Sequence, residues 1–213
     1  MHREDFDDDF DEGFEPDSDI MELLGRYEQL QKGDTAAYLG EMALLRIIEF
    51  YFMEKSENTK AFEVLEYAIS QNPYSGTFYI KKADILMSEN RMSEALTWLD
   101  SAAIYDPGEL EIFLLRAEAY TEIGKHADAI SQLYSAFEIA DEEDWTEIYS
   151  EMADVYERWE KYDEAFTCLK AALQLNYKNQ EAIEQLWYCM DLIEVDQEVV
   201  DLIKEIIDDD PYS

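Results

Sequence analysis

Between Leu110 and Asp141 the apolar positions fall on two helical stripes separated by a glycine. Phe113, Ala117 and Tyr120 recur at i, i+4 and i+7, and after Gly124 so do Ala129, Leu133 and Ala136. The spacing predicts two helices and a turn, with small residues where backbones approach and Phe113, Tyr120 and Leu133 filling the space between. One such hairpin cannot bury both of its faces, so the pattern calls for stacked copies. Ala61, Ala95 and Ala129 stand 34 residues apart, and Ala68, Ala102 and Ala136 keep the same step, as do Pro73 and Pro107. After a two-residue slip through Asp141 to Trp145 the pattern resumes at Ala153, Tyr156, Ala165, Leu169 and Ala172, and a fifth, degraded copy ends at Pro211.

A 34-residue period of helix-turn-helix content resembles the tetratricopeptide-repeat family over about residues 42–213. The resemblance implies an all-α, right-handed α-α superhelical solenoid of about five units, at 42–75, 76–109, 110–143, 146–179 and 180–213. Residues 20–41 precede the array as an N-terminal capping helix region. Asp19 is placed to cap that helix with Glu22 returning the bond, and Leu23, Leu24, Tyr27 and Leu30 lead to Gly33. A second helix is predicted from about Thr35 to Lys55, with Leu45, Ile48 and Phe52 on its inward face and Glu49 at the usual small position. Turns are expected at Asn58, Asn90 and Gly124, and Trp145 should pack to seal the lengthened connection before the fourth unit. In the fifth unit Trp187, Val199 and Ile206 stand at small positions, which predicts looser packing.

Charge narrows the choice of partner. With 52 acidic against 16 basic residues the chain carries −36, so nucleic-acid phosphate and anionic membrane surfaces would be repelled and basic partners favoured. Residues 1–19 hold ten acidic side chains against Arg3 and read as a solvated, disordered acidic tail, although Phe6, Phe10 and Phe14 recur within it as they would in a docking segment. Asp7, Asp9 and Asp11 imitate the start of a calcium loop, but Glu12 stands where the turn glycine belongs, so no metal site is assigned. Two cysteines without a CxxC, no secretory signal and no apolar run near the roughly 20 residues a bilayer span needs point to a reduced, cytoplasmic setting.

No constellation carries catalysis. His2 and His126 give neither Cys168 nor Cys189 an imidazole partner, and phosphate loops and zinc-protease motifs are absent, so the expectation is a non-enzyme without cofactor. Both cysteines read as packing residues. The family resemblance implies instead a concave wall lined by the first helix of each unit. Its inner positions map onto Ala43, Arg46, Ile47 and Phe50, then Thr77, Ile80, Lys81 and Asp84. Glu111, Leu114, Leu115, Glu118 and Glu122 follow in the third unit, and Glu147, Glu151, Asp154, Glu157 and Arg158 in the fourth. Glu181, Glu184, Tyr188 and Asp191 complete the fifth. The wall is acidic from its middle onward, and Arg46 and Lys81 are too few for the carboxylate clamp by which some family members grip chaperone tails. Charge runs also serve merely to solvate a helix face; the apolar Phe50, Leu114 and Tyr188 among them favour a groove.

The sequence thus predicts a bacterial-type interaction scaffold that holds a basic or amphipathic protein segment in an acidic groove. A chaperone for a secreted or assembling client, and a structural self-assembly unit, are the alternatives. The apolar Val199, Val200, Leu202, Ile203, Ile206 and Ile207 predict a C-terminal helix over about 196–208 that needs covering, by a further repeat lost through truncation, by a second copy in a homodimer, or by the phenylalanines of the acidic tail folding back.

Overall fold

In the computed structural model, residues 18–34, 37–193 and 200 are described. The acidic tail, the C-terminal helix over 196–208 and the homodimer face assigned to it lie outside them. Among the described residues the fold is an all-α superhelical repeat in two compact units, divided between Asn72 and Pro73.

The first unit holds α1 (Ser18–Gln31), α2 (Glu41–Glu49), which widens into a π-helix (Phe50–Glu54), and α3 (Asn58–Gln71). α1 ends on Gly33 in left-handed backbone and packs on α2, burying Ile20 and Tyr27, whose ring meets Tyr67 edge-on at 5.8 Å. Three details differ from the sequence expectation. α2 starts at Glu41, after a stretch that buries Ala37 and Leu39, and its buried face is Leu44, Ile47 and Ile48; of the expected face Ile48 is buried, while Leu45 and Phe52 are only half-buried. The left-handed turn residue is Ser56, while Asn58 is already the first residue of α3.

The second unit stacks α4 (Gly76–Ser88), α5 (Met92–Tyr105), α6 (Leu110–Glu122), α7 (His126–Phe137), α8 (Trp145–Arg158), α9 (Tyr162–Leu175) and α10 (Gln180–Leu192). Each helix packs on the next, and α4, α6 and α8 also touch one another, so the first helices of successive pairs form one continuous wall. The alanines at the repeating positions, Ala95, Ala102, Ala129, Ala136, Ala153, Ala165 and Ala172, are wholly buried. A second buried ladder, Phe78, Ile112, Ile148 and Ala182, runs beside them at the start of the wall helices. Trp145 lies edge-on to Phe137 at 6.3 Å, where the lengthened connection needed filling. Asp106, between α5 and α6, accepts the Gly76 N–H at 3.1 Å; a Cβ on Gly76 would collide with that carboxylate and force it to move.

Candidate functional site: the acidic wall of the second unit

Helical spacing turns the same edge of α4, α6, α8 and α10 to one side, and most of the acidic residues singled out above meet there. Lys81 pairs with Asp84 at 3.2 Å on α4. Glu122 of α6 pairs with Arg158 of α8 at 2.5 Å, and Asp154 accepts the Gln185 amide of α10 at 2.6 Å. Glu157 accepts the Cys189 thiol at 3.5 Å. Glu118, Thr121 and Glu122 from α6 face Glu151, Asp154, Val155 and Arg158 from α8 across a cleft of about 350 Å³.

The carboxylates crowd one another. Burial, reinforced by Asp154, Glu118, Glu147 and Glu181, pushes the Glu151 carboxyl up to about 7. Glu118 is raised by burial and then by Asp84 and Glu122, with Arg158 opposing, and Glu111 by burial, with Lys81 opposing the push of Asp84 and Glu109. Asp154 and Glu157 are raised by burial too, against the hydrogen bonds from Gln185 and Cys189. A carboxyl whose ionised form is disfavoured gains most from an incoming cation, because the cation offsets both the lost hydration and the repulsion. The raised carboxyls are concentrated between α6 and α8.

Not every residue named from the sequence takes part. Phe50 belongs to the first unit and is buried in its π-helix, edge-on to Tyr51, while Ile47 and Ile80 are likewise core. Arg46 is tied to Glu54 at 2.9 Å. Leu114 and Leu115 are half-buried, Glu147 is exposed, and Glu184 is exposed with the Gln180 amide donating to it at 3.3 Å. Tyr188 is half in solvent and edge-on to Tyr162 at 6.3 Å. The sequence reading passed over Thr121 and Gln185, although both occupy inner positions of the same register as Asp154 and Glu118. Cys168 and Cys189 are buried, with their thiols pushed up to about 11 and about 12 by burial, which removes the thiolate that nucleophilic chemistry needs. Among the described residues no group of three or more His, Cys, Asp or Glu is arranged to hold a metal, and no helix is long and apolar enough to cross a membrane.

Tetratricopeptide-repeat models match residues 52–118 and 146–179. No curated protein matches the chain in sequence. Among solved structures, a thermophilic tetratricopeptide-repeat protein of Thermus thermophilus is similar with a TM-score of 0.63 at 19% identity, over 80% of this chain and 89% of that one. MamA is similar with a TM-score of 0.62 at 15% identity, over 80% and 94% of the two chains. YrrB, described as a tetratricopeptide-repeat protein with an unusual peptide-binding site, gives a TM-score of 0.61 at 15% identity, over 78% and 82%. At these identities the likeness establishes the fold.

Proposed function

We propose, from the premise that the chain belongs to the tetratricopeptide-repeat family, that it is a non-enzymatic interaction scaffold whose acidic wall holds a basic or amphipathic segment of a protein partner. The family's fold serves protein and peptide binding. The observation that carries the finer reading is the cleft between α6 and α8, where Glu118, Glu151 and Asp154 crowd around a single ion pair, Arg158 with Glu122. A wall that merely stayed hydrated would spread its charge; here Glu151 and Asp154 are half-buried beside the more exposed Glu118, and all three are held above their ordinary range by burial and by neighbouring carboxylates. Lysine and arginine side chains of a partner would replace the missing counter-charge, and the half-buried Leu114 and Leu115 and the open Tyr188 would receive its apolar residues.

The test is binding of a fluorescent peptide of alternating lysine and leucine, followed by anisotropy. Screening length falls from about 10 Å at 0.1 M to about 3 Å at 1 M salt, so affinity should drop at least tenfold across that range. Reversal of Glu111, Glu118, Glu151 and Asp154 to lysine should abolish binding while helicity is retained. Binding indifferent to both salt and reversal would remove the groove reading.

A further inference from the structure

A second hollow, of about 300 Å³, opens where α7, α8 and α9 meet, and shares no lining residue with the cleft between α6 and α8. Tyr134, Met152, Tyr156 and Cys168 form its walls and floor, and Asp163 and Glu164 stand on its rim. Its surroundings differ from the acidic wall: the floor is apolar, Met152 being 3% and Cys168 7% exposed, while Tyr134 stands 57% exposed at the mouth. The Tyr156 hydroxyl is pushed up to about 12, first by burial and then by Tyr134 beside it.

The repeat shows that this opening is a local departure. One step earlier along the stack, the residues corresponding to Tyr134, Met152 and Cys168 are Asp100, Arg116 and Gln132. There Arg116 reaches from α6 to α5, donating to the Asp100 carboxylate at 2.7 Å and to the Leu99 carbonyl at 3.4 Å, and so closes the place with an ion pair. In the later step the cation has become methionine, the carboxylate tyrosine and the amide cysteine. All three changes remove polarity from one spot, and none is needed to keep the alanine ladder beside it packed, since Ala129, Ala153 and Ala165 are buried as in the other steps.

We propose that the hollow between α7, α8 and α9 is a second docking site, which takes one bulky apolar side chain of a protein partner flanked by lysine or arginine. The volume, at the lower end of the ~300–1,000 Å³ that ligand clefts span, suits one anchor side chain and not an extended ligand. Charge fixes the flanks: Asp163 and Glu164 are exposed at the rim, and the open face of Tyr134 attracts a cation through its ring quadrupole. An acidic segment, including this chain's own N-terminal tail, would be repelled from the same rim. The site is separate from the acidic wall and stands or falls independently of it.

The probe is acetyl-Lys-Lys-Phe-Lys-Lys-amide, with the same peptide carrying alanine for phenylalanine as the control, added to the full chain labelled with 13C-methyl methionine. The Met152 methyl resonance, assigned with Met152→Leu, reports from the floor of the hollow. Titrated to ~10 mM, so that even a millimolar dissociation constant gives most of the saturated shift, the phenylalanine peptide should move this resonance and the alanine peptide should not. Tyr134→Asp, which restores the residue of the preceding step, should weaken the response at least tenfold. Glu164→Lys, a surface change that spares the packing, should weaken it about threefold or more, while Glu118→Lys with Glu151→Lys on the other wall should leave it in place. An unmoved Met152 resonance, an equal shift with the alanine peptide, or a full response in Glu164→Lys would overturn the proposal.

Discussion

Glu151 shows how placement changes the chemistry of one carboxyl group. Its pKa of about 7 lies above the ~4.3 of a glutamate in the unfolded chain, so between those values the folded state binds more protons than the unfolded one. Stability contributed there is therefore present at low pH and lost as pH rises through about 7. Glu111, Glu118, Asp154 and Glu157 shift in the same direction. The thermal midpoint should rise when pH is lowered from 8 to 5, and Glu151→Gln should flatten that slope and stabilise the chain at pH 8 by about 1–2 kcal/mol once solvent screening is allowed for. A slope unchanged in the variant would mean that Glu151 titrates normally. Binding should follow the opposite trend: a lysine-rich ligand meets a fully ionised Glu151 only above pH 7, so its affinity should increase from pH 6 to pH 8, with a proton released on binding. Ala129, wholly buried where two helices meet, is the plainer case: Ala129→Leu should overpack the ladder and destabilise by about 1–3 kcal/mol, read from urea unfolding.

At the scale of the helix pair, the turns recur as regularly as the alanines. Ser56, Asn90, Gly124 and Glu160 all take left-handed backbone at the same place between paired helices. In the second unit the closing bonds repeat too: Asn90, Gly124 and Glu160 donate three residues back, to Met87, Thr121 and Glu157, and the following residue donates five back. In the first unit Glu57 reaches six back, to Tyr51, because the helix before the turn has widened to π geometry. Nothing crowds a Cβ at Gly124, so Gly124→Ala should lose only the backbone preference, about 1 kcal/mol, and Gly124→Asn clearly less, since Asn90 already occupies this conformation. Equal losses in thermal melts would point to a hidden clash instead. Gly124 and Asn90 announced their turns in the sequence, whereas Ser56 and Glu160 did not, because neither residue type prefers the conformation that the stacked helices impose. The same limit explains Ile112. A single-face reading chose Phe113, yet α6 is covered by neighbours on several sides, and Ile112 is the residue closed off completely while Phe113 is only half-buried. In the first unit the wall positions Ile47 and Phe50 are apolar and buried, where Lys81 and Asp84 stand one step later.

For the whole molecule, the period carries the family resemblance, and the resemblance, not spacing or net charge alone, supplies the inner positions, half of which are Glu or Asp. What they could not show was depth. Whether Glu151 is half-buried among four other carboxylates, or whether Arg158 turns to Glu122, depends on how far apart α6 and α8 stand. That excess of charge also leads to a prediction that separates folding from binding. A chain of −36 repels itself when compact, and the carboxylates of the wall concentrate that repulsion within the second unit. Added sodium chloride screens it, so the thermal midpoint at pH 8 should rise between about 0.05 and 0.5 M salt. The same ions screen the attraction of the wall for a lysine-rich peptide, so affinity should fall over the same range. The two responses carry opposite signs because one sets like charges against each other and the other sets unlike charges together. In the variant with Glu111, Glu118, Glu151 and Asp154 reversed to lysine, both should shrink together, the stabilisation by salt becoming smaller as the binding disappears. If salt left the melting midpoint unchanged in the parent chain, or stabilised the reversed variant just as much, the repulsion would reside elsewhere in the molecule and the wall would not be its centre.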